Sequence, residues 1–507
     1  MTQSRPQAIN NRITAGFALL YLVFLFPTPE FPLYNADDGS FFVTLAMNMV
    51  EFGRYSVDGH PFAEYGHHAT WPPVFPSFLA GVLTLVGHHW WALKLAATLP
   101  ALAAIHLLGR FWLERPEGLW AVLLFGISPM FFLFAHHTMA ETTYIAFIAA
   151  TLVALKKAHH PAAWFGAGIL ATLAFLTRGY AITLLPAGVL FLVSRRDIEW
   201  RRRLLGATAF ALPLLFGILA WKLYVDNTAA QYPLDYISER FGTGAGLLEQ
   251  MLRSPVEYLK RAWWHDLRYP LHLMIPVVGL QTVLHSDLLA LTSILLLAGA
   301  AVGWWMSLRR GLGVLEIWLP IALAFQFVPQ NTAARYWLTF LPFLFFYLLV
   351  ALRTLAMHLR RPLLYRLGVV GLLASGGTGL AAFLLTPDSL RFAQPEWKEL
   401  RDLATWSKSY LPKDAVVVTP DWHRFRSVST HYSLTAELLL KHRDEMTGTS
   451  RPLFLVCRSA NQQPCSTPGI QTEDRALYRV GSYSLWPARL LHSETVSPEQ
   501  APPTSSR

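Results

Sequence analysis

Charge and cysteine are what this 507-residue chain has least of. Charged residues make up 15%, against about 25% in an ordinary soluble domain. The deficit runs over most of the length and excludes one water-soluble core. It also excludes a disordered chain, which is rich in charge and poor in apolar residues. Two cysteines are too few for a disulfide scaffold. No collagen period and no repeat of about 20–50 residues is present. What fills the chain is hydrophobic, at 53%, with 13% aromatics that include 18 Trp. That composition suits a protein meeting two membrane–water interfaces. The 42 Lys+Arg outnumber the 32 Asp+Glu, giving +10. In a soluble protein this excess would point to nucleic acid. Here it points to cytoplasmic loops held by the positive-inside rule, and no nucleic-acid partner is expected.

A spanning helix needs about 20 mostly apolar residues. The first candidate runs from Ile13 to Leu33 behind a basic leader with Arg5 and Arg12, which predicts a cytoplasmic N-terminus. No small-x-small cleavage site follows it, and it ends in Pro27, Pro29 and Pro32, so a signal peptide is not expected. Further long candidates cover 92–113, 118–135, 140–156, 162–177, 180–194, 204–224, 287–308, 313–329, 335–352 and 364–385. Two shorter stretches, 73–87 and 271–284, are ambiguous between spanning and re-entrant or interfacial segments. If neither crosses, Arg110/Arg115, Lys156/Lys157, Arg195–Arg203, Arg309/Arg310 and Arg353–Arg366 all fall on the cytoplasmic side. The expected fold is therefore an all-α polytopic membrane protein with about 11–13 spanning helices, in the cell membrane.

The outer face then receives loops 34–91 and 225–286, the turns 136–140 and 330–334, and the chain beyond 385. This predicts a polytopic domain over 1–385, a small extracytoplasmic α/β domain over 386–497, and a disordered tail at 498–507. Within the outer domain, helices are expected at Glu396–Tyr410 and Thr435–His442, and strands at Ala415–Thr419 and Leu453–Cys457. Both cysteines, Cys457 and Cys465, fall there. An outer compartment permits a disulfide between them; two free thiols are the alternative.

Ionisable residues at a membrane boundary are costly and often functional. The first outer loop opens with Tyr34-Asn35-Ala36-Asp37-Asp38-Gly39. Asp37 and Asp38 are either site carboxylates or solvated caps of the helix that follows. Glu141, at the mouth between two apolar segments, is either a second site acid or a helix-start glutamate favoured by the macrodipole. The topology puts all three acids on one face. Arg178 and Arg335 interrupt apolar sequence at outer helix ends, with Lys222 and Arg268 as weaker versions. Arginine offers phosphate a fixed fork of donors; snorkelling to head groups is the other reading. Of the adjacent histidine pairs, His67/His68 and His136/His137 flank the acids, so a divalent metal is one option. No HxxxH or HExxH spacing occurs, which leaves polar loop histidines as the other. Trp71-Pro72-Pro73-Val74-Phe75-Pro76 must break the helix into an extended turn.

Taken in order, these landmarks resemble the GT-C glycosyltransferases, in the bacterial branch of protein mannosyltransferases and lipid A aminoarabinose transferases. The resemblance covers 10–385. It rests on Asp37-Asp38, the Trp-Pro-Pro-x-x-Pro turn and its follow-on (Trp71–Leu85), Ser128-Pro129 with Glu141 beyond, Thr177-Arg178-Gly179 leading to Pro186, and Arg335-Tyr336 followed by Pro342. It implies a polyprenyl-phosphate-linked sugar as donor. The acceptor would be a glycolipid, glycan or protein hydroxyl on the outer face, with inversion at the anomeric carbon. It implies a first-loop aspartate as base, Asp37 by position and Asp38 next. Asp-Asp stands where many members have Asp-Glu, and Arg178 where some have Lys. Three alternatives remain. One is a polymerase or ligase of lipid-linked glycans, which would lean more on arginine and histidine. Another is a transporter, which would carry broken helices and mid-membrane charge. The last is a non-catalytic scaffold.

Overall fold

The computed structural model describes residues 5–26, 38–56, 71–229, 287–326, 334–385, 395–441, 451–458, 470–473 and 475–490, with a few isolated positions besides. Asp37, His67, His68, Arg268 and Cys465, the stretch 275–284 and the tail 498–507 lie outside the described residues. The first helices are α1 (Arg5–Val23), α2 (Asp38–Phe52), α3 (Val74–Val86), α4 (Trp90–Phe111), α5 (Pro116–Gly126), α6 (Pro129–Ala135), α7 (Glu141–Lys157) and α8 (Pro161–Phe175). A 3-10 turn, Gly179–Thr183, leads into α9 (Leu184–Ser194) and then α10 (Trp200–Ala229). After residue 286 come α11 (Asp287–Arg310), α12 (Val314–Gln326), α13 (Ala334–Trp337), α14 (Leu341–His358) and α15 (Pro362–Leu385). The last three are α16 (Pro395–Tyr410), α17 (Trp422–Ser429) and α18 (Ala436–Lys441).

The chain forms two compact units. The first comprises Met1–Glu30, Ala69–Phe78 and His88–Thr386. Among the described residues, α4, α10, α14 and α15 are each long and apolar enough to cross a membrane. The pair α5–α6 makes a fifth span if its 66° bend is bridged. Among the described residues, Val74–Val86, Pro161–Phe175, Gly179–Ser194 and Val314–Gln326 are shorter apolar helices. The periodicity located these segments but not their breaks. Segment 118–135 breaks where Pro129 starts a new helix with Ser128 ahead of it. Segment 335–352 splits into α13 and α14, with Pro342 in the first turn of the latter. Close helix approach is bought with small residues: a Cβ on Gly168 would collide with the Phe210 carbonyl, and one on Gly303 with the Tyr347 carbonyl.

The second unit comprises Phe31–His68, Leu79–Gly87 and Pro387–Arg507. Its strands are β1 (Val416–Val418), β2 (Tyr432–Leu434), β3 (Leu453–Arg458), β4 (Ile470–Thr472), β5 (Tyr478–Val480) and β6 (Tyr483–Leu490). They form one mixed sheet in the order β2-β1-β3-β6-β4, with β5 also on β6. β1 runs parallel to β2 and β3, and β6 antiparallel to β3. The buried run Val416–Val418 and the cluster Leu434, Leu439, Leu455 and Trp486 build its core. Gly481, at φ 52°, supplies the left-handed residue that the tight β5–β6 turn needs. Glu399 of α16 accepts from the Ser482 N–H (2.9 Å) and hydroxyl (2.8 Å) beside it. Cys457 is disulfide-bonded and buried in β3.

The sequence grouped loop 34–91 with the membrane region, whereas α2 packs with the sheet domain. The reason is one buried guanidinium. Arg426 of α17, 0% exposed, donates through Nη2 to Asn48 Oδ1 and Glu51 Oε2 of α2, both at 2.8 Å. Its Nη1 donates to the His431 carbonyl at 3.3 Å, and its Cζ lies 5.6 Å over the Tyr432 ring. Phe52 stacks on the same ring at 6.2 Å. A buried arginine is stable only when paired and hydrogen-bonded, and α2 supplies both services. We expect Arg426→Ala to speed amide hydrogen exchange across Asp38–Phe52 while leaving α7 and α8 protected. Unchanged exchange in α2 would show that the guanidinium does not hold it.

Candidate functional site

Glu141 begins α7, and the chain before it is pinned from several directions. Thr98 of α4 donates to the Ala135 carbonyl (2.7 Å), while Thr142 donates back to the Ala97 carbonyl (3.0 Å). This reciprocal pair locks the end of α6 and the start of α7 onto one turn of α4. Tyr21 donates to the Gly126 carbonyl at 2.7 Å and packs against His136. The Glu141 side chain is consequently fixed and only 2% exposed.

Arg178 sits where α8 ends. Its N–H closes on the Ala174 carbonyl at 2.9 Å, its backbone turns extended at φ −150°, and Gly179 starts the 3-10 turn. The Trp71-Pro72-Pro73 break is stitched to the same place, since the Val74 N–H donates to the Leu176 carbonyl at 3.0 Å. Two motifs separated by a hundred residues of sequence thus share one turn. From it, Arg178 Nη2 reaches Glu141 Oε1 at 2.5 Å, with the arginine side chain 10% exposed.

Arg335, in the short helix α13, approaches from a third direction. Its Nε lies 3.8 Å from the same Glu141 Oε1, and its side chain is 11% exposed. Both guanidiniums lie over the Tyr336 ring, Arg178 at 5.5 Å and Arg335 at 5.3 Å, within cation–π range. Tyr180 packs against Tyr336 with ring centroids 5.5 Å apart. One carboxylate and one aromatic face therefore hold two guanidiniums that arrive from separate parts of the chain. Rigid, partly desolvated forks of this kind suit a phosphate, and aimed at a leaving group they stabilise charge as it develops. Tyr336 and Tyr180 were not singled out as site residues by sequence. The available signal was an aromatic directly after Arg335 and another two residues after Arg178.

The other expected residues are placed as follows. Asp38 is the first residue of α2, in the second unit. Lys222 pairs with Asp226, one turn further along α10, at 2.8 Å, with its side chain 67% exposed. It is not brought to Glu141. His137 is buried in the turn before α7. Both ring nitrogens of His136 face backbone carbonyls, Nδ1 that of Phe132 at 2.8 Å and Nε2 that of Tyr21 at 2.9 Å. Among the described residues no group of three or more His, Cys, Asp or Glu side chains is arranged to hold a metal ion.

Residues 70–221 match the family model described as dolichyl-phosphate-mannose-protein mannosyltransferase. That interval includes Glu141 and Arg178, and stops short of Arg335. No curated protein matches the chain. Among solved structures, ArnT from Cupriavidus metallidurans, crystallised with undecaprenyl phosphate, matches with a TM-score of 0.57 and 15% identity. The match covers 94% of this chain and 97% of that one. AglB, the oligosaccharyltransferase of Archaeoglobus fulgidus, in complex with an inhibitory peptide and a dolichol-phosphate, matches with a TM-score of 0.53 and 14% identity. There the match covers 89% of this chain and 69% of that one. At such identities the likeness is one of fold. The chain has the GT-C fold that the motif order implied: a multi-pass helical membrane protein with a C-terminal sheet domain.

Glu141→Gln would leave two guanidiniums side by side without their shared anion. We expect it to destabilise the first unit by about 3 kcal/mol, within the range for breaking a buried pair, seen as a lower melting temperature in detergent. A variant melting like the parent would show that the cluster contributes nothing to stability.

Proposed function

We propose that this protein is a membrane glycosyltransferase that moves a sugar from a polyprenyl-phosphate carrier to an acceptor hydroxyl on the extracytoplasmic face, with inversion at the anomeric carbon. The observation that carries this reading is the convergence of Arg178 and Arg335 on Glu141 and the Tyr336 ring. The family match over 70–221 and the lipid phosphates named for ArnT and AglB support it.

The chemistry follows from the leaving group. A lipid phosphate is already anionic and departs without a strong general acid. It gains from cations that take up charge as the C–O bond breaks, and preorganised guanidiniums supply this without reorganising. Arg178 and Arg335 hold the phosphate in this scheme, and Glu141 fixes both forks in place. The acceptor hydroxyl must lose a proton. A positioned carboxylate receiving it contributes about 10²–10⁴-fold, and this role falls to Asp37, with Asp38 beside it. A divalent cation would draw on Asp37, Asp38, His67 and His68 of the first loop. The acceptor is a glycolipid, a glycan or a protein. The membrane is the cell membrane, with the N-terminus cytoplasmic and the sheet domain outside. A transporter would concentrate its charges at mid-span; here Glu141 and Arg178 stand at helix ends.

Two substitutions test the division of labour. Asp37→Asn is expected to abolish sugar transfer while expression and membrane insertion stay normal, and near-normal turnover would remove it as the base. Arg335→Ala is expected to weaken binding of the polyprenyl-phosphate donor more than that of the acceptor, read from separate KM values. Equal donor affinity in variant and parent would refute its phosphate role.

A further inference from the structure

The helices that carry the site have a second charged end. Glu141 opens α7 and Lys156 stands in its last turn; Arg178 precedes α9 and Arg195 follows it. At that far end lies a cavity of about 720 Å³. Four cations line it, Lys156, Arg195, Arg196 and Arg203, against one carboxylate, Asp197.

Three of these cations are braced by backbone carbonyls, and Arg196 is exposed. Lys156 Nζ donates to the Phe111 carbonyl at 2.8 Å. Arg195 Nη1 donates to the Ala158 carbonyl at 2.8 Å, and its other donors hold Asp197 and approach His159 Nδ1. Arg203 Nε donates to the Ile198 carbonyl at 2.6 Å. The bracing uses one ammonium donor of Lys156 and leaves Arg203 Nη2 uncommitted. Among the described residues Arg196 makes no hydrogen bond. Asp197 is itself committed to Arg195, which holds its carboxyl below the usual range.

The helix field adds to this charge. The first turn of α10 contains Arg201, Arg202 and Arg203 and no acid; Glu199 stands just ahead of it. Cations at a helix N-terminus oppose the positive end of the macrodipole, the reverse of the usual arrangement. An anion in the cavity relieves that conflict together with the excess of lysine and arginine. The cavity wall is apolar on one side: Val193 is 42% exposed and Leu312 49% exposed, and both line it. A rim of this kind suits acyl chains above a charged head group, as in basic pockets between membrane helices.

We propose that this cavity is a binding site for the phosphate head group of an anionic phospholipid, on the face that the arginine-rich loop assigns to the cytoplasm. It is separate from the Glu141 cluster and independent of the sugar-transfer reading. A solvated loop obeying the positive-inside rule explains the number of arginines. It does not explain why Lys156, Arg195 and Arg203 are braced around a cavity with an apolar wall.

The test is native mass spectrometry of the full chain in detergent, with phosphatidylglycerol and phosphatidylcholine of identical acyl chains and, separately, inorganic phosphate. Phosphatidylglycerol is expected to be retained over phosphatidylcholine. Its retention should fall about fivefold for each of Arg196→Gln and Arg203→Gln, and stay unchanged in Arg201→Gln, an exposed arginine of the same run outside the cavity lining. Equal retention of the two lipids in the parent protein overturns the proposal, whatever the variants do. So does an equal loss in Arg201→Gln, which would indicate surface charge alone. Displacement of phosphatidylglycerol by an equimolar amount of inorganic phosphate would assign the cavity to a soluble anion and overturn the lipid reading.

Discussion

A carboxylate shut away from water between two guanidiniums is the constraint on which the first unit is organised. Neither charge type is tolerated in a buried place alone. Glu141, Arg178 and Arg335 therefore bind together the start of α7, the turn after α8 and the short helix α13. Around that knot the chain abandons regular helix repeatedly: at Ser128-Pro129, at the 3-10 turn Gly179–Thr183, and between α13 and α14. Each interruption frees backbone groups that a bilayer cannot satisfy. The hydroxyls of Thr98, Thr177 and Tyr21 take up carbonyls at or near helix ends.

Much of this was legible in the sequence, for physical reasons. Apolar runs announce membrane helices because the bilayer demands them. Glu141, Arg178 and Arg335 stood out because each interrupts such a run. Their meeting on a single oxygen was not legible, since nothing in residue spacing relates positions 141, 178 and 335 in space. The breaks were legible only where proline marks them. The turn at Leu176–Gly179 is made by backbone hydrogen bonds, so the sequence merely shortens the apolar run there.

The sheet domain shows the same division. Its helix at 395–410 and its first and third strands were visible as an amphipathic stretch and two apolar runs. Strands Tyr432–Leu434, Ile470–Thr472 and Tyr478–Val480 were not, since three residues are too few to display alternation. The eight-residue β6 was missed because Pro487 interrupts its pattern. The ownership of α2 was hidden for another reason. Arg426 reads as an ordinary surface arginine in sequence, and only the fold shows that it is wholly enclosed by residues some 375 positions upstream.

That enclosure bears on how the chain can be divided. Severing it at the junction near residue 386 would look, from composition, like trimming a soluble appendage. It would in fact deprive α2, the helix that begins with Asp38, of the Arg426 guanidinium that donates to Asn48 and Glu51.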